Sequence, residues 1–253
     1  MELLNYKTFG EGQPMIIVHG FLGSLDNWAT LGKRFAEDYQ VYLVDQRNHG
    51  KSFHSEEWGY DRMVEDLENL IDELGIENPV LLGHSMGGKT VMQFAAFHPE
   101  KVEKMIVADI GPKHYPPHHQ KILDGLSAVP IETIESRQEA EEVLAKYIPE
   151  IGVRTFLMKN IQRSSDRFSW KMNLPVLSAQ IEKVGEALSY HLPIEVDTLF
   201  IRGGNSNYIL DEDWDEITEI FPESELETVE HAGHWLHAEQ PDEFYTKVMN
   251  FLS

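Results

Sequence analysis

The chain has no cysteine among its 253 residues. That excludes a disulfide framework, a thiolate nucleophile and any cysteine metal site, and it fits a reducing compartment. Positive charge is scarce: 21 Lys and Arg stand against 43 Asp and Glu, a net charge of −22 with neutral histidines. So acidic a surface repels phosphate backbones and anionic membranes, and nucleic acid is not an expected partner. Its plain consequence is solubility. No apolar run approaches the roughly 18 residues of a membrane span. The opening MELLNYKTFGEGQP has no basic stretch followed by an apolar one, so no signal peptide is expected. A soluble, cytoplasmic protein is the expectation. Internal repeats and low-complexity tracts are absent too.

What is present is an ordinary apolar content of 42%, in a chain long enough to bury about three-quarters of its unfolded surface. Short apolar runs alternate with helical patterns. Met15–Val18, Val41–Val44, Pro79–Leu82 and Val102–Ile110 read as strands; Asp26–Asp38, Tyr60–Leu74 and Met86–Phe97 read as helices. The runs are apolar throughout rather than alternating, as strands covered on both faces are. The order predicts an α/β fold with a mostly parallel, doubly wound sheet. Between Gly111 and about Glu195 the rhythm breaks, with no convincing buried strand and helices expected near 138–147, 153–160 and 175–188. Strands near 197–201 and 226–229 and helices near 211–220 and 241–252 resume it. The expected organisation is a core of 1–111 and 196–253 with an inserted unit over 112–195.

The stretch VLLGHSMGGKT places Ser85 between Gly83 and Gly87, directly after a buried strand and before a helix. A strand–turn–helix of this kind holds a serine in a strained turn above the sheet's carboxyl edge, with helix N–H groups aimed at the same place. The plainer alternative is a Gly-rich loop with an idle serine. A serine nucleophile needs a base. His84 adjoins it, but the turn should aim that ring away as a packing residue. The useful stretch is VEHAGHWLHAEQP, where His234 sits on a loop at the carboxyl end of the sheet. His231 and His237 flank it at three-residue spacing, which on a loop fixes no common face for a metal. No metal is expected. An oxyanion would take the Met86 N–H, after the serine, and the Phe21 N–H from the early loop HGFLGS. Ordinary loop packing is the alternative for Phe21 and Leu22.

HGFLGSLDNW, DQRNHGKS, GHSMGG and EHAGHWLHAEQP, in this order, resemble the α/β-hydrolase superfamily, most closely its small bacterial esterase and acyl-thioester hydrolase branch. The resemblance covers nearly the whole chain. It implies Ser85 as nucleophile, His234 as base, Phe21 and Met86 as oxyanion donors, and a helical lid inserted after the sixth strand. It also implies a triad acid after TLFIRG, where this chain has Ser206 instead. Asp109, at the end of the strand after the Ser85 helix, is the favoured replacement, with the Asp211–Asp213 region as the alternative. Asp109 has a structural alternative too, bonded to loop amides, and Asp211 and Asp213 have one as helix caps. Asp45 and Arg47 are read as loop ties beneath the site.

The resulting expectation is a serine hydrolase of carboxylic esters or thioesters of small to medium acyl groups. It would act through an acyl-enzyme without a cofactor, with Leu22 and Trp235 lining an apolar substrate pocket. Two rivals share the scaffold. One is a carbon–carbon hydrolase or lyase, for which Arg154, Lys159, Arg163, Arg167 or Lys171 would have to reach the site. The other is a small-molecule receptor with little turnover.

Overall fold

The computed structural model describes residues 2–117, 119–164, 167–188, 190 and 193–253. Its centre is a seven-stranded sheet in the order β1-β3-β2-β4-β5-β8-β9. The strands are β1 Tyr6–Phe9, β2 Gln13–Val18, β3 Tyr39–Val44, β4 Val80–His84, β5 Lys104–Ala108, β8 Thr198–Gly203 and β9 Ser224–Val229. All neighbours are parallel except β1, which runs antiparallel to β3. Strand β1 was not anticipated. Its YKTF is half exposed at the sheet edge and lacks the apolar run that marks its buried neighbours.

Alternation along each buried strand divides the core in two. Met15, Ile17, Val41, Leu43, Leu82 and Ile106 face one side, with α1 Ala29–Phe35 and α11 Pro241–Leu252 packed on them through Phe35, Phe244 and Val248. Ile16, Val18, Val44, Leu81, Met105 and Val107 face the other, against α2 Tyr60–Leu74, α3 Met86–Phe97 and α9 Trp214–Ile220. Helix α2 buries Met63, Leu67, Leu70 and Ile71, one stripe at helical spacing. It stops at Gly75, whose φ of 61° is a left-handed cap; the Gly75 and Ile76 N–H groups then bond the Asp72 and Ile71 carbonyls. Among the described residues no helix is long and apolar enough to cross a membrane.

The chain between β5 and β8 holds α4 Gln120–Ala128, α5 Arg137–Leu144, α6 Ile151–Met158, the antiparallel pair β6 Ile161–Ser164 and β7 Arg167–Trp170, α7 Leu174–Ala179 and α8 Ile181–Val184. This corrects two expectations. The insertion follows the fifth strand in chain order, not the sixth, because only β1 precedes the Met15 strand. It also contains a hairpin, whose four-residue strands are too short to show a clear period. Of the range 112–195 that was expected to form the inserted unit, His118, Ser165, Asp166, Ser189, His191 and Leu192 lie outside the described residues. A third core joins the insertion to the sheet's carboxyl edge: Leu123, Leu157, Phe168 and Leu177 pack with Phe21, Leu22 and Met86. A short α10, Leu236–Glu239, precedes α11.

Helix α3 meets the sheet at van der Waals limits. A Cβ on Gly87 would lie 2.2 Å from the Val18 carbonyl, and one on Gly83 would lie 2.2 Å from the Gly87 carbonyl. By contrast nothing lies within 4 Å of a Cβ on Gly152. Overpacking of this kind costs about 1–3 kcal/mol or more. Gly87→Ala is therefore expected to lower the urea-unfolding free energy by at least about 2 kcal/mol, and Gly152→Ala to leave it within about 0.5 kcal/mol or raise it. Equal effects of the two would contradict the packing described.

Candidate active site

Ser85 stands between β4 and α3 with φ 53° and ψ −118°. A non-glycine residue held there stores about 1–3 kcal/mol of strain, and its surroundings must hold it. They do: the Ser85 N–H donates to the Ala108 carbonyl and its carbonyl accepts from the Lys89 N–H, both at 3.0 Å. The absent Cβ atoms of Gly83 and Gly87 let strand and helix close on the turn. Gly20 is equally constrained, since its Cβ would lie 2.8 Å from His84 Nδ1 and 3.2 Å from Ser85 Cβ.

The loop after β2 passes beside this serine. Leu22 has φ 58°. Its N–H donates to His49 Nε2 at 3.2 Å and the Gly23 N–H donates to the Gly20 carbonyl at 3.0 Å. Among the described residues the Phe21 and Met86 N–H groups make none of the loop and turn bonds. Two buried imidazoles brace the loop. His19 Nδ1 donates to the Gly20 carbonyl and its Nε2 accepts from the Gln46 N–H; His49 Nδ1 donates to the Arg47 carbonyl. Burial lowers His19 to about 4 and His49 to about 3, so both are neutral. Asp45 accepts from Leu25 N–H, Lys51 N–H and the Asn5 amide, and Arg47 makes a buried two-bond pair with Asp66 at 2.5 and 2.8 Å. Asp45 and Arg47 thus tie the loops, as expected of them.

His234 lies on the loop between β9 and α10. Its Nδ1 is 2.8 Å from Asp109 Oδ2. Asp109 has no solvent exposure and a φ of 53°. Its Oδ1 accepts from the Gly203 N–H at 3.0 Å, and its Oδ2 also accepts from the Ser206 hydroxyl at 2.5 Å. Burial pushes this carboxyl up to about 6, against the pull of those two donors. Asp211 and Asp213 are elsewhere: Asp211 pairs with Arg202 at the surface, and Asp213 accepts from Lys113 and from the Leu210 N–H. Ser206, where the resemblance implied an acid, instead supplies a proton donor to the acid that is present.

Other residues carry more than sequence spacing revealed. His84 does not point away: its Nε2 donates to the His234 carbonyl at 2.8 Å, and its ring lies 4.8 Å from that of His234. Tyr208 stacks on His234 with centroids 3.9 Å apart and planes at 14°. Adjacency hid the first and loop geometry the second. His231 is exposed and His237 stacks on Trp28 at 4.2 Å, so the three spaced histidines do not converge.

Ser85, His84 and His234 line one narrow cavity of about 20 Å³ with Phe21, Leu22, Val153, Phe156, Leu157 and Trp235. Ser85 and Met86 also border a second of about 20 Å³, walled by Ile110, Tyr115, Ile181, Val184, Gly185 and Tyr208. An open cleft of about 380 Å³ lies outside Tyr208 and His234. Arg154, Lys159, Arg163, Arg167 and Lys171 line none of these. Arg154 is taken up by Glu141 and Lys171 by Asp26.

A strained serine after a parallel strand, a histidine–carboxylate pair on neighbouring loops and a glycine-built loop beside them define a class. A family model described as "alpha/beta hydrolase fold" matches residues 13–130. The mouse protein named sn-1-specific diacylglycerol lipase ABHD11 is 37% identical over 247 residues, covering 94% of this chain and 80% of that one. Esterase YbfF of Escherichia coli is 33% identical over 244 residues, covering 95% and 93%. The solved structure of a marine microorganism esterase matches with a TM-score of 0.97 at 41% identity, covering 99% of this chain and 100% of that one. The chain belongs to the α/β-hydrolase family, on its carboxylesterase-type branch.

The buried imidazoles set an acid limit on this fold. His19, His49, His84 and His237 are all held below the ordinary histidine value by burial. The unfolded chain therefore binds protons below pH 6.5 that the folded chain does not, and stability falls as pH falls. Asp109 acts oppositely: raised to about 6, it is protonated in the folded chain first, and between pH 6 and 4 it offsets one of the four protons. Asp66, also raised by burial, acts in the same sense as Asp109, so the net is at most about three protons, or up to about 4 kcal/mol per pH unit. His237 Nδ1 has no hydrogen-bond partner, so His237→Phe should flatten the slope by about one proton. Urea midpoints measured from pH 7 to pH 5 check this; an acid slope near zero, or one unchanged by the substitution, would contradict it.

Proposed function

We propose that this protein is a serine hydrolase of carboxylic esters or thioesters with small to medium acyl groups. The observation that carries the reading is the shared cavity. Ser85 and His234 line it together, and His234 is oriented from behind by a buried carboxylate.

In this mechanism the nitrogen of His234 remote from Asp109 takes the Ser85 proton as the hydroxyl oxygen attacks the acyl carbon. The carbonyl oxygen becomes an oxyanion and receives the Phe21 and Met86 N–H groups, at the positive end of α3. Collapse breaks the bond to the leaving alcohol or thiol, which takes the proton from His234. Water then gives a proton to His234 as it attacks the acyl-serine; collapse breaks the bond to Ser85 Oγ, which takes the proton back from His234, and the acid is released. Asp109 holds the tautomer that puts the Nδ1 proton toward it and steadies the imidazolium. Ser206 and Gly203 keep the carboxylate ionised. No metal or organic cofactor takes part.

The largely apolar lining by Leu22, Phe156, Leu157 and Trp235, with His84, His119 and His234 but no lysine or arginine in it, suits an uncharged acyl group and favours ester chemistry over the carbon–carbon rival. The relatives named as esterases and lipases support the same class. A cavity of about 20 Å³ holds little more than one water. In this reading the 112–195 segment is a lid that moves aside for substrate. Free and inhibitor-bound crystal structures with α6 in one position would contradict that motion.

The reading predicts covalent labelling by a fluorophosphonate probe in the wild type and none in Ser85→Ala. His234→Ala should label very slowly. Asp109→Asn should keep its fold and lose about 10²–10⁴-fold in turnover of an aryl ester. Turnover of Asp109→Asn near wild type would rule out its role, and unchanged turnover of Ser85→Ala would rule out the reading.

A further inference from the structure

Lys89 follows Ser85 by one turn of α3 and is 1% exposed. Its ammonium donates to the carbonyl of Lys113 at 2.8 Å and to the carbonyl of Glu186. Lys113 lies where the chain leaves β5 for the insertion, and Glu186 lies where it returns. The two segments are also joined to each other, through Tyr115 N–H to the Gly185 carbonyl at 2.8 Å and Leu188 N–H to the Pro112 carbonyl at 3.1 Å. The Tyr115 and Tyr60 rings sit 5.1 and 5.9 Å from the ammonium. Lys89 is in none of the described salt bridges, and the Glu186 carboxylate favours its ammonium only from a distance. Burial lowers its amine to about 7. An apolar residue of similar length would fill this space without the desolvation cost of a charge. What it would lack is a group that bonds both crossings at once.

The same crossings form part of the serine's surroundings. Tyr115, Val184 and Gly185 wall the second cavity at Ser85. The Tyr115 hydroxyl donates to the Tyr208 carbonyl at 2.7 Å, and Tyr208 stacks on His234. We infer that Lys89 is a positioning residue that clamps both ends of the insertion to the helix carrying Ser85, and so sets which acyl groups reach the serine. The acyl-selectivity half of this rests on the hydrolase reading above; the clamp does not.

The test compares wild type with Lys89→Met, which keeps the length and removes the donors. Exchange of the Lys113, His114 and Tyr115 amides and of those in 184–188 should quicken by about tenfold or more, with β4 and β5 unchanged. The ratio of kcat/KM for an octanoyl over an acetyl aryl ester should rise by about tenfold, mainly through KM, because a loosened wall admits the longer chain. A merely structural lysine would lower both esters together and leave their ratio alone. If the Met variant does not fold, Lys89→Gln, which keeps amide donors on a shorter neutral chain, carries the test with smaller shifts in the same direction. Unchanged exchange in both crossings, or an unchanged ester ratio, overturns the corresponding half of the inference. If the wild type neither turns over esters nor labels at Ser85, the hydrolase reading fails while the exchange result still judges the clamp.

Discussion

A fully buried carboxylate holding three hydrogen-bond donors is the interaction on which the site depends. Asp109 takes the Gly203 N–H, the Ser206 hydroxyl and the His234 imidazole. Left unpaired, such a group would be protonated, and burial already moves it toward that state. The donors come from the last residue of β8 and from the loops beyond β8 and β9, so the carboxylate draws three strand ends together. The backbone follows: Asp109 sits at φ 53° and its N–H bonds the Ile201 carbonyl at 2.8 Å. The imidazole stands on a loop, but the carboxylate that orients it is fixed by the sheet.

Close approach at Ser85 has the same origin. Gly20, Gly83 and Gly87 remove Cβ atoms where β2, β4 and α3 converge. The strained serine is then over-determined by bonds on both sides. The loops around it are fixed by neutral buried histidines, each given one tautomer by a carbonyl on one nitrogen. The insertion packs on this arrangement through Leu123, Leu157, Phe168 and Leu177 and leaves cavities of only about 20 Å³ beside Ser85.

Much of this was readable from residues. The buried parallel strands announced themselves as continuous apolar runs, and α2 through its stripe from Met63 to Leu74. Gly83-His84-Ser85-Met86-Gly87 marked the turn because a Cβ at either glycine would collide with a backbone carbonyl. The Asp109–His234 pairing was reachable as a preference, since a carboxylate ending one strand can meet a loop after another. The edge strand β1 and the hairpin in the insertion were not readable, because four half-exposed residues carry no distinctive period. His84 and Tyr208 escaped because their roles depend on loop conformations that spacing does not encode. Ser206 was visible only as a missing acid; its hydroxyl acquires meaning once Asp109 is seen beside it.

The central claim is a covalent ester on one hydroxyl. The direct measurement is acid-quenched mass spectrometry of the enzyme mixed with excess aryl ester during the first turnover. The account predicts a burst of released phenol close to one per enzyme and an acyl mass on the peptide containing Ser85. Steady product formation with no acylated protein, or an acyl group on another residue, would contradict it.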